Sequence, residues 1–276
     1  MSPSDDHGVD LVVKIGGARG ISFEGLAEDI AAMLREGRRI VVVHGGSSEA
    51  TDLGSRLGMT PEFITSPSGN VSRRSDRRTI EVLMMACAGK INKTLVEALQ
   101  ARGVNALGIT GLDGRLLAGS RKKAVRSVHD GKVVVIRDDF GGKVEEVNAG
   151  LLRLLLDAGY VPAIGPLALG REGEALNVDA DRVAAAVASA AQAKTLIILS
   201  NVPGLLKDPR DPSTLIRRIP RGSIGEYGQY AAGRMKKKVL AAREALSGGV
   251  ERVVISDARS REPLKGALAG EGTVIE

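Results

Sequence analysis

The sequence predicts an α/β fold with a mainly parallel central sheet covered by helices on both faces. Three observations carry that expectation. Short runs of Val, Ile and Leu alternate with helical patterns along most of the 276 residues. The runs are continuously apolar, as strands buried on both faces are. The stretches between them are long enough to hold crossover helices, which parallel neighbours need.

The elements follow in order. Residues 11–15, Leu-Val-Val-Lys-Ile, form a β-rich run ending in Gly16-Gly17. A helical pattern covers 23–36, with apolar residues at 26, 27, 30, 31, 33 and 34. A second buried-type strand, 40–43, runs on to Gly45-Gly46, and a helix is predicted over 48–57. A long helical region spans 79–102 with a break near Gly89, and a strand follows at 105–110. Residues 132–137 suit an antiparallel or edge strand. Helix 149–158, strand 161–164, an alanine-rich helix 181–191, strand 195–199, helix 235–246 and strand 252–255 complete the series. Turn formers at 66–69 and 208–212 mark loops. Gly170-Arg171-Glu172-Gly173 interrupts the pattern, suggesting an N-terminal part, 1–176, and a C-terminal part, 177–276, that share one sheet.

Composition narrows the function. With 43% hydrophobic and 26% charged residues the chain reads as a soluble globular protein. One cysteine, Cys87, excludes an internal disulfide and favours a cytoplasmic location. No apolar run approaches the ~20 residues of a membrane span. The polar start, residues 1–10, lacks the apolar core of a signal peptide. A net charge of +6 raises the question of nucleic acid, but only 2% of residues are aromatic and none is tryptophan. Single-strand stacking surfaces need interleaved aromatics. An acidic partner or polyanionic substrate fits the charge as well.

Two successive strands end in glycine pairs followed by helices. Ligands of open parallel sheets bind beyond the carboxyl ends of the strands. Glycine lets an anion approach the backbone, and helix N-termini favour it. One pair alone is a tight turn; two pairs, with Lys14 just before the first, favour an anion site. Neither belongs to a Gly-x-x-x-x-Gly-Lys-Ser/Thr loop or a Gly-x-Gly-x-x-Gly turn, which disfavours P-loop and dinucleotide-binding enzymes. Lys236-Lys237-Lys238 lies where a helix begins, a place electrostatically poor for cations, and so suggests an anion nearby. Asp181 precedes the alanine-rich helix and could cap it. Cys87 reads as core. His44 either faces the site or packs at the strand end. His7 and His129 have no ligand partners at useful spacing, so no metal centre is expected.

Six segments in order resemble the amino acid kinase family, and within it the acetylglutamate kinases and their carrier-protein-dependent relatives. They are Val13-Lys14-Ile15-Gly16-Gly17, Val43-His44-Gly45-Gly46-Ser47, Ser72-Arg73-Arg74-Ser75-Asp76, Leu176-Asn177-Val178-Asp179-Ala180-Asp181, Leu199-Ser200-Asn201-Val202-Pro203-Gly204-Leu205 and Met235-Lys236-Lys237-Lys238-Val239. The resemblance implies a three-layer α/β/α sandwich whose N-terminal part holds an acid substrate and whose C-terminal part holds ATP, with Mg²⁺ carried mainly by the nucleotide. It implies that Lys14 and Lys238 stabilise the transferring phosphoryl group and that Asp181 orients them. Lys238 keeps the Met-x-x-Lys spacing; Lys236 is the alternative and a nucleotide-binding candidate. Gly16 and Gly17 would bind phosphate, and Gly45 and Gly46 would supply backbone donors at the substrate. Arg73 would grip the α-carboxylate and Asn177 the amino or amide end. Ser200, Asn201, Val202, Gly204 and Leu205 would border the adenine and ribose. A homodimer is the family expectation. Asp179 departs from the Asn-x-Asn-x-Asp pattern common in acetylglutamate kinases.

The chemistry is consistent without a catalytic base. A side-chain carboxylate, with a pKa of about 4.3, is already a nucleophile at neutral pH. The difficulty is bringing it to an anionic phosphate, which positioning and positive charge solve. The arginines at 73, 74, 77 and 78 resemble the basic loop of kinases whose substrate, α-aminoadipate or glutamate, is joined to a small acidic carrier protein, and Arg121, Lys122, Lys123 and Arg126 form a second basic patch. Arg74, Arg77, Arg78, Arg121, Lys122 and Lys123 would dock that carrier. The first strand begins near residue 11, so the N-terminal helix of arginine-inhibited acetylglutamate kinases, and feedback through it, are not expected.

Overall fold

The computed structural model describes residues 8–16, 21–67, 71–121, 123–129 and 132–276. Strand β1 (Leu11–Ile15) leads to α1 (Glu24–Arg35), β2 (Ile40–His44) and α2 (Ser47–Arg56), then to a hairpin of β3 (Phe63–Thr65) and β4 (Val71–Arg73). The long helical region runs as α3 (Arg77–Leu83), a π-helical segment (Met84–Ile91) and α4 (Asn92–Gln100). Next come β5 (Ala106–Thr110), β6 (Leu117–Arg121), the hairpin β7 (Val125–His129) and β8 (Lys132–Ile136), and β9 (Gly142–Val147). They are followed by α5 (Ala149–Asp157), β10 (Val161–Gly165), β11 (Leu167–Gly170), β12 (Ala175–Asn177) and α6 (Ala180–Ala190). The chain closes with β13 (Thr195–Ser200), β14 (Arg218–Ile219), α7 (Ile224–Tyr227), α8 (Arg234–Ser247), β15 (Arg252–Asp257), α9 (Pro263–Leu268) and β16 (Thr273–Ile275).

Eight strands make the central sheet, in the order β14-β16-β15-β13-β1-β2-β10-β5. From β15 to β5 every pairing is parallel, and β16 is antiparallel to β15. The apolar runs are therefore its interior strands. Because strand side chains alternate faces, each run feeds two cores. Val12, Val43, Ile164 and Ile198 pack with residues of α5, α6 and α8, including Leu152, Val183 and Ala241. Leu11, Val13, Ile15 and Val42 pack on the other side with residues of α1, α4 and α9, including Leu26, Leu99 and Leu264. This is the three-layer sandwich. Lys14 shares the face of Val12 and stands in register with Val43 and Ile198, so it projects towards α6 and α8.

Outside the central sheet lie a second sheet, β12-β11-β6-β9, and the hairpins β3–β4 and β7–β8. The exposed antiparallel strand expected at 132–137 is β8. The sequence pattern did not mark the others, which are short or partly exposed and so lack a buried-strand signature. The interruption at 171–173 is the turn of the β11–β12 hairpin, where the Gly170 N–H donates to the Glu174 carbonyl at 2.7 Å. The helix is not broken at Gly89; it widens into the π-helical segment. Cys87 lies there, buried against Gly46, where a Cβ would overlap its Sγ. No helix among the described residues is long and apolar enough to cross a membrane.

Candidate active site

Lys14, Asp181 and Lys238 come together from three elements. Lys14 Nζ lies 2.8 Å from Asp181 Oδ1. Lys238 Nζ lies 2.9 Å from Asp181 Oδ2 and 3.2 Å from Oδ1. All three are buried, at 5%, 7% and 7% exposure. A lone buried ion would cost several kcal/mol, on the order of ~5; here one carboxylate serves two ammonium groups. Burial would raise the Asp181 carboxyl, but the charges and hydrogen bonds of Lys14 and Lys238 outweigh it and hold it at about 2. Burial, and then the charge of Lys14, lower the Lys238 ammonium from its usual value, against the pull of Asp181. The cluster keeps one positive charge more than negative and lies where β1 ends and α6 and α8 begin.

Asp179, not Asp181, caps α6. Its Oδ1 accepts from the N–H groups of Asp181 and Arg182 at 3.1 and 3.2 Å. Its Oδ2 stands 3.1 Å from Lys237 Nζ. Asp181 is already inside the helix, which leaves its carboxylate for the lysines. The cations crowding the start of α8 are thus answered in part by two aspartates of the chain itself. Lys236 is exposed and outside the cluster, and it is Lys238 that contacts Asp181.

The glycine pairs behave differently from expectation. The Gly16 N–H donates to the Leu199 carbonyl at 3.1 Å and the Gly45 N–H to the Ile15 carbonyl at 2.9 Å. Both extend the parallel ladder by one residue, so neither is a spare donor for an anion. Gly46 is the residue before α2, at that helix's N-terminus. Gly17 lies outside the described residues. His44 is fully buried: Nδ1 lies 3.0 Å from the Gly45 carbonyl and Nε2 lies 3.1 Å from Asn92 Nδ2. The amide can only donate, so Nε2 accepts and Nδ1–H donates. Burial pushes the imidazole down to about 4, so it is neutral near pH 7 and braces the turn.

The family model of the amino acid kinase family matches residues 11–257. The chain belongs to the amino acid kinase family. The LysW-aminoadipate kinase of Deinococcus radiodurans is 52% identical over 265 residues, covering 96% of this chain and 91% of the relative. The LysW-aminoadipate kinase of Thermus thermophilus is 51% identical, covering 96% of this chain and 99% of the relative. Among solved structures, the N-acetylglutamate synthase of Neisseria gonorrhoeae, complexed with coenzyme A and N-acetyl-glutamate, superposes with a TM-score of 0.78 at 26% identity. That match covers 97% of this chain, which spans 59% of the synthase chain.

In this amino acid kinase family member, Arg73 reaches from β4 across the start of α2. Its Nη2 donates to Thr51 Oγ1 at 2.5 Å and to the Ser47 carbonyl at 3.2 Å, and its guanidinium lies 5.5 Å from the Phe63 ring centre. Asn177 Nδ2 donates to Ser75 Oγ at 2.9 Å, and the Ser75 hydroxyl donates to the Arg73 carbonyl at 3.2 Å. Ser75 thus links the two substrate candidates. The Ser75 N–H donates to buried Asp139 at 2.7 Å. The role of Asp139 is invisible in sequence, because 64 residues separate the pair.

The stretch after β13 is also braced. Ser200 is buried at the strand end, and Asn201 is exposed. Gly204 has φ +155°, and a Cβ there would lie 2.6 Å from Thr273 Oγ1. That hydroxyl accepts from the Leu205 N–H at 2.8 Å and donates to the Ile216 carbonyl at 2.6 Å. Thr273 carried no sequence signal.

The basic surface is less uniformly free than its sequence suggests. Arg74 binds Glu62 at 2.6 Å and both oxygens of Asp138 at 3.1 and 2.9 Å. Arg121 lies 4.3 Å from the Phe140 ring centre and 3.4 Å from Glu174. Arg77 is exposed and stands 3.4 Å from Glu81, while Arg78 and Lys123 are exposed. Lys122 lies outside the described residues. Net positive charge therefore rests more on Arg77, Arg78 and Lys123 than on Arg74 or Arg121.

Proposed function

We propose that the protein transfers the γ-phosphoryl group of ATP to the side-chain carboxylate of an amino acid whose amino group is joined to a small acidic carrier protein. The favoured acceptor is α-aminoadipate, for lysine biosynthesis, and glutamate at the same site would serve arginine biosynthesis. The observation that carries this reading is the Lys14–Asp181–Lys238 cluster. A substrate carboxylate oxygen attacks the γ-phosphorus, the bond to the β–γ bridging oxygen breaks, and ADP leaves. No proton has to move. Lys14 and Lys238 meet the charge on the transferring group and the leaving phosphate, and Asp181 keeps the two ammonium groups side by side before substrate arrives. Preorganised charge of this kind is worth far more in a buried site than in water.

Both oxygens of Asp181 are taken by lysines, so the cluster offers Mg²⁺ no free carboxylate there. That donor set would suit a metal held mainly by the nucleotide phosphates, whose charge it would offset. In this reading 177–276 hold the nucleotide, with the braced Gly204 stretch beside the base and ribose. Residues 1–176 hold the acid beside Arg73, and Asn177, the first residue of the C-terminal part, reaches it from across the boundary through its contact with Ser75.

The names of the two relatives, each about half identical over nearly the whole chain, support the carrier-linked acceptor. So do exposed Arg77, Arg78 and Lys123, which suit encounter with an acidic partner. N-acetylglutamate is the competing acceptor. Trapping the acyl phosphate with hydroxylamine, using MgATP and carrier-linked aminoadipate, carrier-linked glutamate or N-acetylglutamate, separates the readings. Hydroxamate from N-acetylglutamate alone would sink the carrier-linked one.

A further inference from the structure

For Lys238 to reach Asp181, the amino ends of α6 and α8 must lie side by side. Both ends carry partial positive charge, and α8 adds Arg234, Lys236, Lys237 and Lys238 in its first five residues. The apolar seam between the helices includes Ala184, Ala185, Ala188, Ala241, Ala242 and Ala245. Small side chains let helices approach closely, but a smooth alanine face sets the distance better than the register along the axis.

Two ion pairs outside the lysine cluster supply what that seam lacks. Asp179 Oδ2 stands 3.1 Å from Lys237 Nζ, each residue lying next to the cluster in sequence. Arg182 Nε and Nη2 donate to the two carboxylate oxygens of Glu244 at 2.9 and 2.6 Å. Arg182 directly follows Asp181, and Glu244 lies further along α8 from Lys238. A bidentate fork is directional in a way that a single ammonium contact is not. Because Asp179 also caps α6, its two oxygens fix the helix start and the neighbouring helix at once.

We infer that Asp179–Lys237 and Arg182–Glu244 form a two-rung clamp between α6 and α8 that sets the register of Asp181 against Lys238. They are positioning residues: neither pair belongs to the Lys14–Asp181–Lys238 contacts. Only the kinetic consequence rests on the reaction proposed above; the geometric one does not.

The test uses the full chain with Glu244→Gln, and with Asp179→Asn, which keeps a capping oxygen but removes the charge facing Lys237. Reductive methylation followed by peptide mass spectrometry reads how readily Lys238 is labelled, without requiring turnover. The clamp predicts severalfold faster labelling of Lys238 in both variants at an unchanged melting temperature. It also predicts a kcat loss of roughly tenfold at unchanged KM for ATP, within the ~10²-fold that a 1 Å misplacement can cost. Exchanging the pair, Arg182→Glu with Glu244→Arg, should return both readouts towards the parent. Because the charge of Asp179 also supports the Lys238 ammonium, Glu244→Gln decides: Lys238 labelling unchanged in that variant overturns the clamp. If the unsubstituted protein gives no hydroxamate with any acceptor, the reaction reading fails, and the labelling still decides the clamp.

Discussion

Lys14 and Lys238, two cations that repel each other, share one carboxylate: Asp181 Oδ1 lies 2.8 Å from Lys14 Nζ, and Oδ2 lies 2.9 Å from Lys238 Nζ. The arrangement holds positive charge in a buried place without neutralising it. Removing the carboxylate leaves two buried, uncompensated ammonium groups. Asp181→Asn should cost about 3–5 kcal/mol of stability, the range for breaking a buried pair. Urea unfolding of parent and variant checks this, and a difference under about 1 kcal/mol would place the pair in the surface class instead.

The same carboxylate sets an acid limit. Against burial, the two lysines hold it at about 2 in the folded protein, below the ordinary aspartate value of 3.8. A depressed folded value means that the stabilisation is fully present above the unfolded value and is lost as pH falls from about 4 towards 2. The contribution is about 2 kcal/mol at neutral pH. The stability gap between the parent and Asp181→Asn should therefore shrink as pH drops through that window. A gap constant down to pH ~2 would contradict the depressed value.

On the alkaline side, Lys238 is lowered from the ordinary lysine value of 10.5 by burial and by Lys14. Its charge is lost as pH rises through that lowered value, so kcat should fall at a midpoint below 10.5. His44, whose imidazole burial pushes down to about 4, should give no inflection around the ordinary histidine value of 6.5. A rate profile with an inflection there that disappears in His44→Asn would show that the imidazole takes part.

Thr273 joins the Leu205 N–H to the Ile216 carbonyl beneath the Gly204 turn. Thr273→Val keeps the shape and strands a buried donor, at a cost of about 1–3 kcal/mol. Steady-state kinetics should show a raised KM for ATP with little change in KM for the acid. The reverse pattern would move the nucleotide away from this stretch.

Arg77 and Arg78 are exposed, whereas Arg74 is held by Glu62 and Asp138. Replacing Arg77 and Arg78 with Gln should weaken carrier binding and flatten its salt dependence, because exposed charges act mainly on encounter. Titration of the carrier at two salt concentrations reads both. Binding unchanged in affinity and slope would make the basic loop incidental.

Much of this was legible in sequence because parallel strands advertise themselves. The Val/Ile/Leu runs at β1, β2, β10, β13 and β15 are buried on both faces, and the glycines after β1 and β2 mark where they stop. Lys14 was legible from its place at a strand end, Lys238 and Asp181 from resemblance. What stayed hidden depends on contacts far apart in the chain or on backbone direction. Asp181 reads as the cap until the helix is seen to start at Ala180, directly after Asp179. Glycines at 16 and 45 announce a turn but not that their N–H groups already serve the ladder. Ser75, Asp139 and Thr273 act through partners whose proximity no local pattern encodes, and β3, β4 and β12 are too short to carry a periodicity.

The most direct test of the central claim is hydroxamate formation from carrier-linked aminoadipate by the parent and by Lys14→Ala under saturating MgATP. Losing one preorganised charge should lower kcat by about 10²–10³-fold, with the folded structure retained by circular dichroism. A folded Lys14→Ala protein that turns over as fast as the parent would contradict the assignment of phosphoryl transfer to the Lys14–Asp181–Lys238 cluster.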